Sequence, residues 1–115
     1  MNYKVEAWSW CADYCKKNQW NPHDSYFWNK ANLEYRRQHN IFEIGDKVVL
    51  LKNQHMWHKM ESIYTVTSTD IYDGITIGVA IEYKNTSHGN EIGNIRHATD
   101  AEIKAGKRLE VKGEN

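Results

Sequence analysis

The spacing of apolar residues changes from a helical to an alternating period near Phe42, and this change constrains the fold more than any other feature. Before Phe42 apolar residues recur every three or four positions. After it, Val, Ile, Thr and Tyr dominate the apolar segments, most clearly from Ile75 to Tyr83, where every second residue is Ile, Val or Tyr. The two periods predict helices followed by an antiparallel sheet, which is an α+β protein.

Two helices are predicted in the first 40 residues. The first covers about residues 4–17 and has an apolar face with spacings of three and four residues, made of Val5, Trp8, Ala12 and Cys15. Asp24 is a suitable N-cap for a second helix that ends near Gln38. The residues of this second helix that are expected to face inward are Phe27, Trp28, Ala31 and Tyr35.

The second part of the sequence predicts a small SH3-like antiparallel β-barrel followed by a short helix. Four strands are predicted, over residues 46–52, 63–71, 75–83 and 91–98. Asp73-Gly74 is a preferred pair for a tight hairpin turn, whereas residues 85–90 are expected to form a polar turn. Thr99 and Glu102 match a capping box, so the last helix should begin after Thr99 and end near Gly106.

The chain is expected to be a single domain in which a helical hairpin packs on the barrel. Its 115 residues suffice for one compact domain. A sheet this small is marginal without a cover, which the hairpin is expected to supply. The predicted parts are a helical hairpin over 1–40, an SH3-like barrel over 41–98, a C-terminal helix over 99–109 and a frayed tail over 110–115.

Charge and hydropathy narrow the classes of partner and the location. Fifteen Lys and Arg balance fifteen Asp and Glu, so the chain lacks the overall basic signature of a dedicated nucleic-acid binder. The apolar runs are much shorter than the ~20 residues that cross a bilayer, and the first residues lack the apolar segment of a signal peptide. We therefore expect a cytoplasmic protein that does not associate with membranes.

The residues that could carry chemistry do not form a recognisable catalytic or metal-binding motif. Cys11 and Cys15 could in principle join His55 and His58 in a Cys2His2 metal site, but the cysteines lie in a helical pattern that favours reduced, packed thiols. Whether these four residues meet in space is left open by the sequence. His97 has Asp100 nearby, but no Ser or Cys at a strained turn completes a nucleophilic set. We expect no enzyme activity, no cofactor and no metal.

The first 40 residues contain nine of the fourteen aromatic residues, more than two helices can bury on one face of a barrel. Trp8 and Phe27 are expected to be buried, with Trp10 and Trp20 directed outward or lying in the connection between the helices. Exposed Trp and Tyr are typical of interaction surfaces, and rings interleaved with basic residues suit either an acidic protein or single-stranded nucleic acid. The residues predicted to bind a partner are Trp10, Tyr14, Lys17, Trp20, Lys30, Arg36, Arg37 and Trp57.

The C-terminal half carries a motif of known type. Residues 95–109, Ile-Arg-His-Ala-Thr-Asp-Ala-Glu-Ile-Lys-Ala-Gly-Lys-Arg-Leu, contain the patterns Arg-x-Ala-Thr and Glu-Ile-x-Ala-Gly-x-Arg, and Gly45-Asp46-Lys47-Val48 lies upstream. Over residues 41–109 the chain resembles small proteins encoded by bacteriophages and prophages. The resemblance implies a phage or prophage origin and a small β-barrel, and it brings no catalytic residues.

Together these features lead to two functional expectations. The first is a non-enzymatic, phage-encoded binding protein that engages a host protein in the bacterial cytosol, with inhibition of a host process such as a defence system as its purpose. The alternative is a module that binds single-stranded or non-specific nucleic acid. The identity of the partner and the oligomeric state are left open by the sequence.

Overall fold

The computed structural model has an α+β architecture and describes residues 3–52, 59–73, 75–83 and 85–109. It contains two N-terminal helices, a five-stranded antiparallel sheet and a short C-terminal helix. The contacts divide the chain into two units, Met1–Ile41 and Phe42–Asn115, and each unit has a hydrophobic core of its own. The units are described separately below.

Most element boundaries lie close to those expected from the sequence. The helices are α1 (Tyr3–Lys17), α2 (Ser25–His39) and α3 (Asp100–Ala105). The strands are β1 (Lys47–Leu50), β2 (Tyr64–Tyr72), β3 (Ile75–Tyr83), β4 (Thr86–Glu91) and β5 (Ile95–His97), with a single 3-10 turn at Ile92–Asn94.

Helices α1 and α2 meet through small side chains rather than through the apolar face expected for α1. The buried residues of this first core are Ala7, Cys11, Cys15 and Ala31. Three of them follow each other at intervals of four along α1, so they form one line that lets the two helices approach closely. The predicted face was therefore wrong for Val5 and Trp8, which are 73% and 65% exposed, but right for Cys15.

The end of α1 explains why Trp20, which lies in the connection between α1 and α2, packs inward rather than pointing outward. Gln19 adopts a left-handed conformation with φ of 61°, and the Trp20 amide donates to the Cys15 carbonyl at 2.8 Å. This pair of features is a Schellman-type helix end, which turns the following residue back against the last helical turn. Trp20 is consequently half-buried and packs against the first core.

The start of α2 was predicted correctly. The Asp24 carboxylate accepts a hydrogen bond from the Tyr26 amide at 2.9 Å, which is the expected N-cap contact. Of the residues expected inward, Ala31 is buried, while Phe27, Trp28 and Tyr35 are half-buried. Asn40 ends the helix in a left-handed conformation.

The five strands are ordered β4-β3-β2-β1-β5, and all described neighbours are antiparallel. Over the described residues β4 and β5 form the two edges, so the sheet is open rather than closed into a barrel. The buried residues that pack together in this second unit are Phe42, Val48, Leu50, Tyr64, Val66, Val79, Ile81 and Ile95.

The strand predictions succeeded where the alternation was clear and failed in the polar part of the sheet. Strand β3 has the expected bounds, and its first residue, Ile75, pairs with Tyr72 at the end of β2. Asp73 has the positive φ, 52°, that a tight hairpin turn requires, whereas Gly74 lies outside the described residues. The polar turn expected at residues 85–90 was wrong, because nearly all of it is β4. The last predicted strand is divided between the end of β4, the 3-10 turn and β5.

The capping box at the start of α3 is confirmed and belongs to a larger buried network. The Thr99 hydroxyl accepts from the Glu102 amide, and the Glu102 carboxylate accepts from the Thr99 amide at 2.9 Å. The same carboxylate accepts two hydrogen bonds from Arg96, at 2.8 and 3.0 Å, and one from the Leu109 amide. Gly106, with φ of 74°, ends the helix. Most of the C-terminal motif therefore serves to anchor α3 to β5.

Candidate interaction surfaces of the helical hairpin

A continuous series of aromatic contacts surrounds the small core of the first unit. Trp10 stacks on Tyr14 at 5.0 Å between ring centroids, and Tyr14 meets the edge of Trp20 at 5.8 Å. Trp20 in turn stacks on Phe27 at 5.1 Å. Because aromatic pairs at these distances stabilise one another, these rings hold the hairpin together rather than extend freely into solvent.

Three of the residues predicted to bind a partner line one cleft. Trp10, Tyr14 and Lys17 border a shallow cavity of about 340 Å³ together with Asp13 and Gln38. The rings are half-buried and Lys17 is exposed, so the cleft offers stacked aromatic rings beside one cation and one carboxylate. The expectation that Trp10 points fully outward was wrong, because it packs against the first core.

Lys30 lies over a second aromatic surface of the hairpin. Its ammonium is 5.5 Å from the centroid of Trp20 and 5.0 Å from that of Tyr26. These distances are typical of cation–π contacts, which position a cation above the negative face of a ring. Two predicted binding residues, Trp20 and Lys30, are therefore brought together here.

The remaining predicted residues are distributed differently. Arg36 and Arg37 are half-buried, and Arg37 lies 3.7 Å from the Glu34 carboxylate. Trp57 lies outside the described residues, as do His55 and His58. Neither the binding role of Trp57 nor a Cys2His2 arrangement is tested by the structure.

Trp8 and Trp28, two large apolar side chains that were expected to face inward, border a cleft at the surface of this unit. Trp8 lies 6.4 Å from Trp28, ring centroid to ring centroid, with the planes inclined by 58°. The two rings form walls of a cleft of about 440 Å³, which we call the Trp8 cleft and which is lined by Trp8, Ala12, Pro22, His23, Ser25 and Trp28. Val5, one turn before Trp8, adds further exposed apolar surface.

A signal for this arrangement is present in the sequence. The small residues Ala7, Cys11 and Cys15 recur every four positions, and small residues at that spacing permit the closest packing of two helices. Once they define the inner face, Val5 and Trp8 fall outside it. The interpretation from large apolar residues missed this, because it assumed that the bulkiest side chains of α1 would be the buried ones.

The two cysteines of the hairpin are unsuited to thiolate chemistry. Both are buried free thiols, and the Cys11 thiol donates a long hydrogen bond to the Asn32 side-chain oxygen at 3.5 Å. Burial, with a smaller contribution from Cys15, raises the pKa of Cys11 to about 11, and burial also raises the pKa of Cys15. Because the thiolate is the reactive form, neither side chain is activated as a nucleophile.

His97, the histidine considered for catalysis, is buried and packed within the second unit. The His97 ring stacks on Phe42 at 4.4 Å between centroids, and its Nδ1 atom lies 4.0 Å from the Asp46 carboxylate. Asp46 also accepts a hydrogen bond from the Glu43 amide at 2.9 Å. Both His97 and Asp46 are buried, so little of the imidazole is accessible to a substrate.

The described residues contain neither a cluster suited to a metal ion nor a helix that could cross a membrane. Within residues 3–52, 59–73, 75–83 and 85–109, no group of three or more His, Cys, Asp or Glu residues is arranged to hold a metal ion. None of the helices in these ranges combines the length and the apolar composition needed to cross a bilayer.

Comparison with protein-family models, with curated proteins and with solved structures finds no match to this chain.

Proposed function

We propose that this chain is a non-enzymatic binding protein of phage or prophage origin that engages a host protein in the bacterial cytosol. The observation that carries the proposal is the exposed apolar surface of the hairpin, where Val5 and Trp8 adjoin the Trp8 cleft. Inhibition of a host process such as a defence system is its proposed purpose. The resemblance of the C-terminal motif supports the origin.

Exposure of these side chains has an energetic consequence that favours a partner. Trp8 is held on a helix and lies against Trp28, so it is already ordered before any partner arrives. Covering apolar surface gains about 25 cal/mol per Å², and Trp is among the residues that most often dominate the binding energy of protein interfaces. An ordered, exposed Trp beside a cleft therefore suits the centre of an interface.

The chemistry of the Trp8 cleft favours a protein over a nucleic acid. Its described lining contains two indoles, an alanine and a proline, with a histidine and a serine, but no Lys or Arg. Nucleic-acid binding depends on cations that follow the phosphates. The cleft instead suits an apolar side chain of a partner protein, and its volume lies within the roughly 300–1,000 Å³ of small ligand pockets.

We also propose that the second unit is an SH3-like barrel. Two features of the open sheet support this assignment: β5 lies antiparallel beside β1, so the last strand returns next to the first, and a 3-10 turn precedes it. Such a unit serves in this proposal as a scaffold rather than as the surface that contacts the host protein.

The proposal is tested by affinity capture from a nuclease-treated bacterial lysate, with the full chain immobilised. We expect a host protein to be retained by the wild type and by Ile103→Ala, a matched loss of an exposed apolar side chain on α3, but not by Trp8→Ala. Equal retention by Trp8→Ala would contradict the proposal. So would turnover of a substrate by the purified chain that a single substitution abolishes.

A nucleic-acid module is the second candidate, and it rests on a different surface. Lys30 above Trp20 and Tyr26 places a cation beside rings, an arrangement that can stack bases and contact phosphates. A gel-shift titration with single-stranded DNA tests it. This candidate requires affinity that falls as salt rises and that weakens in Lys30→Ala and Tyr26→Ala, whereas salt-independent or absent binding removes it.

A further inference from the structure

Strand β2 is paired over most of its length on one side only. Its contacts with β3 extend from Val66 to Tyr72, but β1 pairs only with Tyr64 and Thr65 on the other side. Val66 is also hydrogen-bonded on the side that faces β1, because its carbonyl accepts from the Gly45 amide and its amide donates to the Asp46 carbonyl. Beyond it, over Ser68–Tyr72, the described residues provide no strand on this side.

The unpaired side of Ser68–Tyr72, which we call the β2 edge, is accessible and has the chemistry of a strand-pairing site. Ser68 and Asp70 are exposed, and Ile71 and Tyr72 are 59% and 73% exposed. In a β-strand the amide and carbonyl groups of alternate residues point to the same side, so this edge presents donors and acceptors that no other described strand pairs. Strands in such positions are templates for an extended polypeptide.

Two of the residues that commonly protect exposed edges are missing from the β2 edge, although its register with β3 shifts between Asp70 and Ile71. Within Ser68–Tyr72 the sequence has no Pro and no Lys, the residues that most often block edge pairing. It contains Ser, Thr, Asp, Ile and Tyr, of which Thr, Ile and Tyr favour strands. The two apolar side chains near its end, Ile71 and Tyr72, offer surface to the side chains of an added strand.

The charges on strands β2 and β3 determine which kind of added strand would be attracted to the β2 edge. From Thr67 to Tyr83 the sequence contains Asp70, Asp73 and Glu82 but no Lys, Arg or His. Pairing two copies of this edge would bring like charges together, which is unfavourable, whereas a basic segment would be attracted.

We propose that the β2 edge binds an extended, basic segment of a partner protein by strand addition. This surface belongs to the second unit and is separate from the Trp8 cleft, so the inference goes beyond the proposed function and does not depend on it. The added strand would receive backbone hydrogen bonds from alternate residues of Ser68–Tyr72, and Asp70 would favour Lys or Arg beside it.

The probe for this proposal is an eight-residue peptide of alternating Lys and Val, with alternating Glu and Val as the charge control. Amide hydrogen exchange of the full chain, followed by NMR, measures the outcome. In the free chain we expect fast exchange of the outward amides of Ser68–Tyr72, and slowed exchange of these amides on addition of the Lys peptide. Amides already protected in the free chain, protection confined to another strand, or equal binding of the Glu peptide would overturn the proposal.

Charge reversal tests whether Asp70 on the β2 edge, rather than any exposed carboxylate of the second unit, attracts the peptide. Asp70→Lys should weaken binding of the Lys peptide about tenfold, whereas Glu61→Lys, a matched reversal at an exposed carboxylate outside the strands, should change it less than about threefold. The reverse order, or an unchanged affinity in Asp70→Lys, would overturn the proposal.

Substitution by proline tests whether backbone hydrogen bonds of β2 contribute to peptide binding. Thr69→Pro and Asp70→Pro remove amides that point to opposite sides of β2, so one of the two should keep the β3 pairing and its melting temperature. That variant should no longer bind the peptide, and undiminished binding would contradict strand addition. If the wild-type chain instead sediments as a dimer that this variant loses, the occupant is a second copy and the proposal of a basic partner is wrong.

Discussion

Glu102 shows how one buried residue can link the stability of this protein to pH. The side chain is 1% exposed and accepts hydrogen bonds from Arg96 and from the amides of Thr99 and Leu109. Burial on its own would raise the pKa of this carboxyl, but these hydrogen bonds and the charge of Arg96 together lower it from 4.5 to about 2. The ionised form is therefore the one that the folded state prefers.

This preference gives a signed prediction for acid unfolding. Because the folded-state pKa of Glu102 lies below its unfolded value, its stabilisation is complete above about pH 4.5 and is lost as the pH falls towards about 2. Glu102→Gln should lower Tm at pH 7 and flatten the fall of Tm between pH 5 and 2. Glu91→Gln, at an exposed carboxylate, is the control. An unchanged pH profile in Glu102→Gln would show that the network does not carry this dependence.

At the scale of a helix, the decisive feature of α1 is which side chains it buries. Trp10 is half-buried against the first core, so Trp10→Ala should destabilise the protein by about 2–3 kcal/mol. Trp8 is largely exposed, so Trp8→Ala should change the free energy of unfolding by less than about 1 kcal/mol. Chemical denaturation of both variants measures this. If Trp8→Ala destabilised the protein more than Trp10→Ala, Trp8 would belong to the buried face of α1, as predicted from the sequence.

At the scale of the sheet, two glycines on neighbouring strands provide a matched pair. A Cβ atom at Gly78 would lie 2.9 Å from the Asn90 carbonyl oxygen, whereas one at Gly89 would meet no atom within 4 Å. Gly78→Ala should therefore cost about 1–3 kcal/mol, because strand backbone must shift to accommodate it. Gly89→Ala should be neutral or stabilising by about 0.5–1 kcal/mol. Equal melting temperatures for the two variants would contradict the close approach of β3 and β4.

The same elements show what could be predicted from the sequence and what could not. Strand β3 and the Asp24 and Thr99 helix caps were predictable, because alternation and capping depend on a few residues close together in the chain. Strand β4 was not, because its polar sequence, Thr-Ser-His-Gly-Asn-Glu, reads as a turn and becomes a strand only by pairing with β3. Trp20 was misplaced because the left-handed residue that turns the chain back is Gln19 rather than Gly.

For the molecule as a whole, the candidate site was harder to predict than the fold. The sequence placed Trp10, Tyr14 and Lys17 among the predicted binding residues, and the structure places these three around one cleft. It assigned Trp8 to the interior, because an amphipathic pattern indicates that a helix has an apolar face but not which of two apolar faces its neighbour covers. Only the packing of α1 against α2 decides that question.

The central claim is that the Trp8 cleft is the contact surface for a protein partner. Isothermal titration of the captured host protein with the wild type, Trp8→Ala and Ile103→Ala tests it most directly. Loss of a central Trp contact should weaken binding by about 2 kcal/mol or more, roughly thirtyfold, while Ile103→Ala should bind like the wild type. Binding of Trp8→Ala within about threefold of the wild type, with its Tm unchanged, would contradict the claim.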